Sequence, residues 1–437
     1  MISQFISRLQ SCIYYLFKKP YFGFIYGHIS ITQSQLVEIE RLIGVDNKSV
    51  VTTYEEQFAK LIGDGEAISY AAARMGFYAL MRFIRIGKGD EVVLLGSTCS
   101  VMVNAIIRTG AYPIYSDMDR NTMGSDVKSI ARVITSRTRM IVAQHSFGIP
   151  CDIESISILA KKHDIFLLED CALTIGSKIN GVVVGNFGDA ALFSTDHSKP
   201  LNTLMGGIIY TRSHDLAKEL KNASENYFQL SYSRQKAIWR RFLLERALCN
   251  PDNYGYLRLL DAYLNFKKKL FNSKRDFLSD DSGVSTLNNY PYPAKLPTFL
   301  ALIGILEVQK WSAESKERSI VLRKLLDIFE KNNVSHLLPD AYKDKSLEII
   351  PLRLVWFNPD SSKLKSSLQK FIDVSQFWFV EPIISTNLDL KVLGYKEGSC
   401  PISEHVGHNI MNIPCNFGIS NADKLLILVD EWINQAH

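Results

Sequence analysis

From residue 54 onward the apolar positions follow two alternating regimes. In Tyr54–Leu61 and Arg74–Ile86 they recur at the three-to-four-residue spacing of a helix that buries one face. DEVVLLGS (90–97) is instead a short apolar run bounded by turn residues, which predicts a strand covered on both sides. The alternation then repeats. SVMVNAIIRTG (100–110) predicts a helix closed by Gly110, YPIYSDMD (112–119) a strand, and SDVKSIARVI (125–134) a helix. MIVAQHS (140–146), IESISILAKKH (153–163) and IFLLED (165–170) continue as strand, helix and strand. Such a series implies an α/β fold whose mixed, mostly parallel sheet is covered by helices. Upstream, residues 1–50 predict an irregular arm ending in a helix near Gln35–Leu42. Downstream, LPTFLALIGILEVQKW (296–311) predicts a connector helix into a smaller α+β domain. The expected division is an arm (1–50), a large domain (51–295), and a connector with the small C-terminal domain (296–437).

The composition suits a globular chain. Its 437 residues are 46% hydrophobic and 22% charged, enough for a large core and two domains. Its seven cysteines are odd in number and form no C-x-x-C pair. That argues against a disulfide framework or a zinc site and for a reducing, cytoplasmic compartment. The N-terminus shows no cleavable signal pattern. The apolar run Cys12–Phe17, ended by Lys18-Lys19-Pro20, falls far short of the roughly 20 residues that span a bilayer. A soluble protein, or one at most peripheral to a membrane, is expected.

Charge is unevenly spread. Arg234–Arg275 holds eleven basic and three acidic residues, while the whole chain carries only +5. With its aromatic residues, this stretch reads as an insertion at about 225–285. Its bland interpretation is a solvated helical insertion with lysine-rich faces. The sharper one is a surface for anionic lipid at the inner membrane face, or for an acidic substrate. Nucleic acid is not expected, because no recognition motif accompanies the charge.

Two segments about thirty residues apart carry the chemistry. In FLLEDCA an apolar strand delivers Glu169 and Asp170 to its C-terminal end, where open α/β sheets place their ligands. In ALFSTDHSKPLNTLMGG a hydroxyl-rich loop between two strands carries Lys199. A lysine so placed, with a carboxylate from a neighbouring strand end, suits pyridoxal 5′-phosphate. The lysine holds the cofactor, and the aspartate keeps the pyridine nitrogen protonated.

Five ordered blocks from roughly Thr52 to the C-terminus then resemble the DegT–DnrJ–StrS sugar aminotransferases, fold-type I pyridoxal phosphate enzymes. They are GKGDEVVLLGSTCSVMVNAIIRTGAYPIYSDMD, TRMIVAQHSFGIPCDIESI, FLLEDCALTIGS, FSTDHSKPLNTLMGG and CPISEHVGHNIMNIPCNFGIS. The resemblance implies that Lys199 is the catalytic lysine and that Asp170 pairs with the pyridine nitrogen. It implies that Ser194 and the helix start at Ala73-Arg74-Met75 bind the cofactor phosphate, with Arg74 as a direct contact. It further implies a homodimer, L-glutamate as amino donor, and a keto-sugar acceptor, usually nucleotide-activated, in surface polysaccharide synthesis.

Several positions depart from the family pattern. Cys99 stands where many relatives place an aromatic that stacks on the ring, and Leu173 replaces a polar neighbour of the cofactor. Pro293 and Lys295 fall on the family's Asn and Arg positions, so the inter-subunit phosphate contact is altered or made by Lys295. His197 reads as a structural loop residue. Retention of Lys199, which dehydratase relatives replace with histidine, favours transamination. Two alternatives stay open: a cofactor-binding member without transaminase activity, and a membrane-associated variant acting on a lipid-linked glycan precursor.

Overall fold

The protein is described here by a computed structural model covering residues 19–257, 259, 260, 263, 292–386 and 388–436. Seven strands build the central sheet: β1 (Glu66–Tyr70), β2 (Glu91–Leu95), β3 (Tyr112–Ser116), β4 (Thr138–Gln144), β5 (Phe166–Asp170), β6 (Ala190–Ser194) and β7 (Gly207–Thr211). Their order across the sheet is β1–β7–β6–β5–β4–β2–β3. β7 runs antiparallel to both its neighbours, and the remaining pairs are parallel. The predicted mixed, mostly parallel sheet is therefore present. Its central strands are buried on both faces, which is why they read as continuous apolar runs.

Parallel pairing has a direct consequence for chemistry. β4, β5 and β6 lie side by side and end at the same edge with Gln144, Asp170 and Ser194. Because β7 returns antiparallel from β6, the loop between them, which carries Lys199, stays at that edge too.

Helices α1 (Lys48–Ile62), α2 (Ala73–Phe83), α3 (Ser100–Thr109) and α4 (Ile153–Lys162) surround the sheet. The left-handed Gly110 (φ 90°) closes α3, as the sequence predicts. Helix α5 (Tyr232–Leu248) opens the basic segment and is not a solvated rod. Ile238, Trp239 and Phe242 are buried in the main core, and Glu245 is fully buried. Most of the remaining basic positions, Arg258, Lys267–Lys269, Lys274 and Arg275, lie outside the described residues.

The connector, α6 (Thr298–Lys331), is 34 residues long, about twice the predicted helix. Its first half, including Phe299, Leu300 and Ile303, belongs to the main core. Its second half, from Val321 to Phe329, belongs to another core with the antiparallel pair β8 (Arg353–Phe357) and β9 (Ile410–Pro414) and with helix α7 (Ile419–Ala436). The arm also departs from expectation. Phe22 and Phe24 are buried in that C-terminal core, while Ile31, Leu36 and Ile39 are buried in the main one. The arm thus stitches the two cores together.

Contact between α1 and α6 depends on a glycine. A Cβ on Gly304 would stand 2.3 Å from Cε2 of Tyr54, a ring with no exposed surface. Gly304→Ala should cost about 1–3 kcal/mol through overpacking. Thermal unfolding should show a midpoint several degrees below wild type; an unchanged midpoint would mean that the helices separate freely.

Candidate active site

A cavity of about 680 Å³ opens where the sheet's C-terminal edge faces β8 and the segment after it. Every residue predicted for the site lines it except Lys295. Asp170 and Ser194 come from the strand ends, Lys199 from the β6–β7 loop, Ala73 and Arg74 from the start of α2, and Cys99 from a short strand before α3. Lys295, expected at an inter-subunit phosphate contact, lies away from this cavity. Its Nζ donates to the Glu225 carbonyl (2.7 Å), and it borders a separate cavity of about 300 Å³.

The acidic pair at the end of β5 divides its labour. Side chains alternate along a strand, so only one of two successive residues faces the cavity. Glu169 turns inward and accepts from the backbone N–H groups of Gly185, Phe187 and Gly188 at 2.7–2.8 Å. His145 also meets Glu169, at 3.2 Å through Nε2. The Nδ1 of His145 accepts from the Cys151 N–H (3.0 Å), so Nε2 carries the proton. Asp170 faces the cavity, with Oδ1 accepting from the Ala172 N–H at 2.9 Å. Burial pushes its carboxyl pKa up, against the opposing pull of that N–H, Lys199 and His145.

The β6–β7 loop continues the ladder of its strands. Thr195 N–H donates to Gly206 O (3.1 Å), Thr203 N–H to Thr195 O (2.9 Å), and His197 N–H to Leu204 O (3.2 Å). Lys199 N–H closes a turn onto Asp196 O (3.0 Å). The ammonium of Lys199 lies 4.5 Å from the centre of the Trp378 ring. Burial pulls its pKa down, while Asp196, Cys99 and Asp170 oppose that shift. A lowered pKa makes a lysine easier to deprotonate, which is what a nucleophilic role would require.

The loop is also tied to the basic segment. His197 Nδ1 meets Glu245 Oε1 at 2.8 Å, and Arg241 Nε donates to the same oxygen at 2.7 Å. Burial alone would lower the imidazole pKa, yet Glu245 and Asp196 raise it to about 9. Burial would raise that of Glu245, but His197 and Arg241 bring it to about 2. His197 is thus a structural loop residue, as expected, held by a partner that the sequence did not disclose.

The cavity fits pyridoxal phosphate. No side chain caps the N-terminus of α2, so its first turn presents its positive end to the cavity. β7 reaches that turn only because Gly207 lacks a side chain. A Cβ there would fall 2.1 Å from Ala73 Cα. Ser194 and Arg74 complete a cradle for a phosphate, and Asp170 offers a carboxylate to a cationic ring nitrogen. Cys99 lines the cavity, but the aromatic beside Lys199 is Trp378, which sequence reasoning did not single out. Arg241 and Arg353 also line it and were likewise missed as site residues.

This sheet, with its lysine loop and strand-end aspartate, defines a fold-type I pyridoxal-phosphate enzyme scaffold. Residues 34–243 match the DegT/DnrJ/EryC1/StrS aminotransferase family. The chain is 31% identical over 368 residues, 83% of each protein, to Uncharacterized protein MJ1066 of Methanocaldococcus jannaschii. It belongs to the DegT/DnrJ/EryC1/StrS aminotransferase family, whose members are pyridoxal-phosphate-dependent. It is 36% identical over 166 residues to GDP-perosamine synthase of Escherichia coli O157:H7, which is 38% of this chain and 46% of that protein. The matched part therefore spans about half the length of that relative. In fold, Helicobacter pylori PseC, an aminotransferase involved in the biosynthesis of pseudoaminic acid, superposes with a TM-score of 0.69 at 16% identity, covering 95% of this chain and all of that one (100%).

The His197–Glu245 pair gives a pH signature. The contribution of His197 is complete below its ordinary value of 6.5 and lost as pH rises through about 9. That of Glu245 is complete above 4.5 and lost as pH falls through about 2. Glu245→Gln should destabilise the fold by on the order of 2 kcal/mol between those limits. Thermal unfolding from pH 5 to 9.5 should show the gap to wild type closing toward pH 9; a constant gap would refute the pairing.

Proposed function

We propose that this protein is a pyridoxal-phosphate-dependent aminotransferase. In this reading it moves an amino group from L-glutamate to the keto group of a sugar, nucleotide-activated, for surface polysaccharide synthesis. The observation that carries the proposal is the meeting of Lys199, Asp170 and the uncapped start of α2 in one cavity. Relatives named for amino-sugar synthesis, such as GDP-perosamine synthase, support the substrate class.

When bound, the cofactor supplies an electron sink for the carbon that loses its proton. Lys199, the one lysine lining the cavity among the described residues, holds the cofactor aldehyde through Nζ. With the cofactor bound, Nζ of Lys199 would be the base that takes the proton from the donor's α-carbon and the acid that gives it back. In the second half of the cycle it moves a proton in the reverse sense, onto the carbon that receives the nitrogen. Glutamate leaves as 2-oxoglutarate, and the keto sugar leaves as the amino sugar. Asp170 would keep the ring nitrogen cationic, and that cation would in turn offset the cost of the buried carboxylate. Ser194, Ala73 and Arg74 hold the phosphate. Cys99 lines the cavity, and its thiol would offer the ring no stacking aromatic at that position. A homodimer completes the site in this reading, and Lys295 serves the neighbouring subunit rather than its own.

A second feature favours contact with an anionic membrane. On the basic segment Leu243, Leu244, Tyr256 and Tyr263 are exposed by 39%, 38%, 48% and 53%. No helix among the described residues is long and apolar enough to cross a membrane, so the contact would be peripheral. Vesicles rich in phosphatidylserine should co-sediment the protein, and deletion of 264–285 should reduce that binding. Equal sedimentation with neutral vesicles would count against it.

The visible absorption of the purified protein tests the main reading. The wild type should be yellow and should lose that band with L-glutamate, and a keto sugar should restore it. Lys199→Ala should slow the loss by at least about 10²-fold. A protein that stays colourless with added pyridoxal phosphate would overturn the assignment and leave the family resemblance as ancestry alone.

A further inference from the structure

Arg353 opens β8 and is 2% exposed, yet among the described residues no carboxylate lies within ion-pair distance of it. Its guanidinium is held between two rings, 4.0 Å from the centre of Phe24 and 3.5 Å from that of Trp378. Nη1 donates to Gln376 O and to Asn412 Oδ1, both at 2.9 Å. A guanidinium has five N–H donors, and these two bonds use one nitrogen. The other edge, Nε with Nη2, has no hydrogen-bond partner among the described residues, and Arg353 lines the same cavity as Lys199.

A buried cation whose contacts are all neutral is costly, and burial pulls its pKa well down. Its free edge has the geometry that takes a carboxylate through two parallel hydrogen bonds. Position narrows the ligand further. The indole of Trp378 that receives Arg353 also receives Lys199, whose Nζ is 4.5 Å from the ring centre. Both groups thus stand close to one ring in one cavity, so a proton handled by Lys199 and a charge held by Arg353 fit two nearby parts of one small molecule. In an α-amino acid the α-carbon and its carboxylate are one bond apart.

We infer that Arg353 is the anchor for the α-carboxylate of the amino donor, fixing the donor so that its α-hydrogen faces Lys199. The inference rests on the aminotransferase reading and names the part of the cavity that receives the donor. Trp378 and Phe24 hold the guanidinium in plane, and Asn412 and Gln376 fix its rotation. The arm, through Phe24, thus helps shape a substrate site.

Calorimetric binding of 2-oxoglutarate to the purified protein tests this without a turnover assay. Wild type should bind it, and Arg353→Met should weaken binding by about 10- to 100-fold. Arg353→Lys, which keeps the charge but not the fork, should fall between the two. Glutamate kinetics should move the same way, with KM rising more than kcat falls. Thermal unfolding identifies a variant that fails to fold, and the dimethyl ester of 2-oxoglutarate then gives a test on unmutated protein. Equal affinity for acid and ester, or equal affinity of wild type and Arg353→Met for the acid, would overturn the inference. It would also fall if Arg353→Met weakened binding of inorganic phosphate or UDP and spared 2-oxoglutarate, which would place the arginine at the sugar-carrier end. A protein that loses its yellow band with other amines but has no affinity for 2-oxoglutarate would sink this inference while leaving the aminotransferase reading standing.

Discussion

Burial opposes charge on both Asp170 and Lys199, and the rest of the site depends on that shared constraint. A lysine exposed to bulk water would stay protonated near neutral pH and be a poor nucleophile. An aspartate in bulk water would pair weakly with a ring nitrogen. Sinking both groups into one cavity weakens the ammonium's hold on its proton and strengthens any ion pair the carboxylate makes. The sheet supplies the cavity. Parallel strands bring Gln144, Asp170 and Ser194 to one edge, and the antiparallel return of β7 keeps the lysine loop there.

The other walls are drawn from distant parts of the chain. The arm contributes Ile25, and Phe24 behind Arg353. Strand β8 contributes Arg353, the segment after it Trp378, and the basic segment Arg241. Helix α6 runs through both cores, so the lysine side and the arginine side are fixed to one rod. Such a rod limits how far the two walls of the cavity can separate.

What the sequence disclosed and what it hid divide along range. The central strands were legible because strands buried on both faces leave unbroken apolar runs. Asp170, Ser194 and Lys199 were legible because each sits at a strand end or in the loop between two strands. α6 was cut short in the reading because Glu314, Lys316, Glu317, Arg318 and Ser319 look like a polar terminus. In the fold Arg318 is buried, donating to Pro200 O (2.8 Å) and pairing with Glu314 one turn earlier, so the helix continues. Arg353 was hidden because PLRLVWF reads only as a strand, and nothing local shows that its arginine faces a lysine more than 150 positions away. Glu245 was hidden for the same reason. It looked like one acid in a basic helix, although its partner is His197.

The bond between Glu245 and His197 makes the basic segment part of the support of the lysine loop. An insertion that merely decorated the surface could be gained or lost without consequence for the chemistry beneath it. Here α5 buries an acid whose counter-charge sits two residues before Lys199, so neither half is comfortable alone. Transplanting the segment into a relative without a histidine at that place would bury an acid answered only by its own Arg241. Trimming it from this protein would release the imidazole and slacken the loop. The segment and the lysine loop are therefore physically coupled, although some forty residues separate them along the chain.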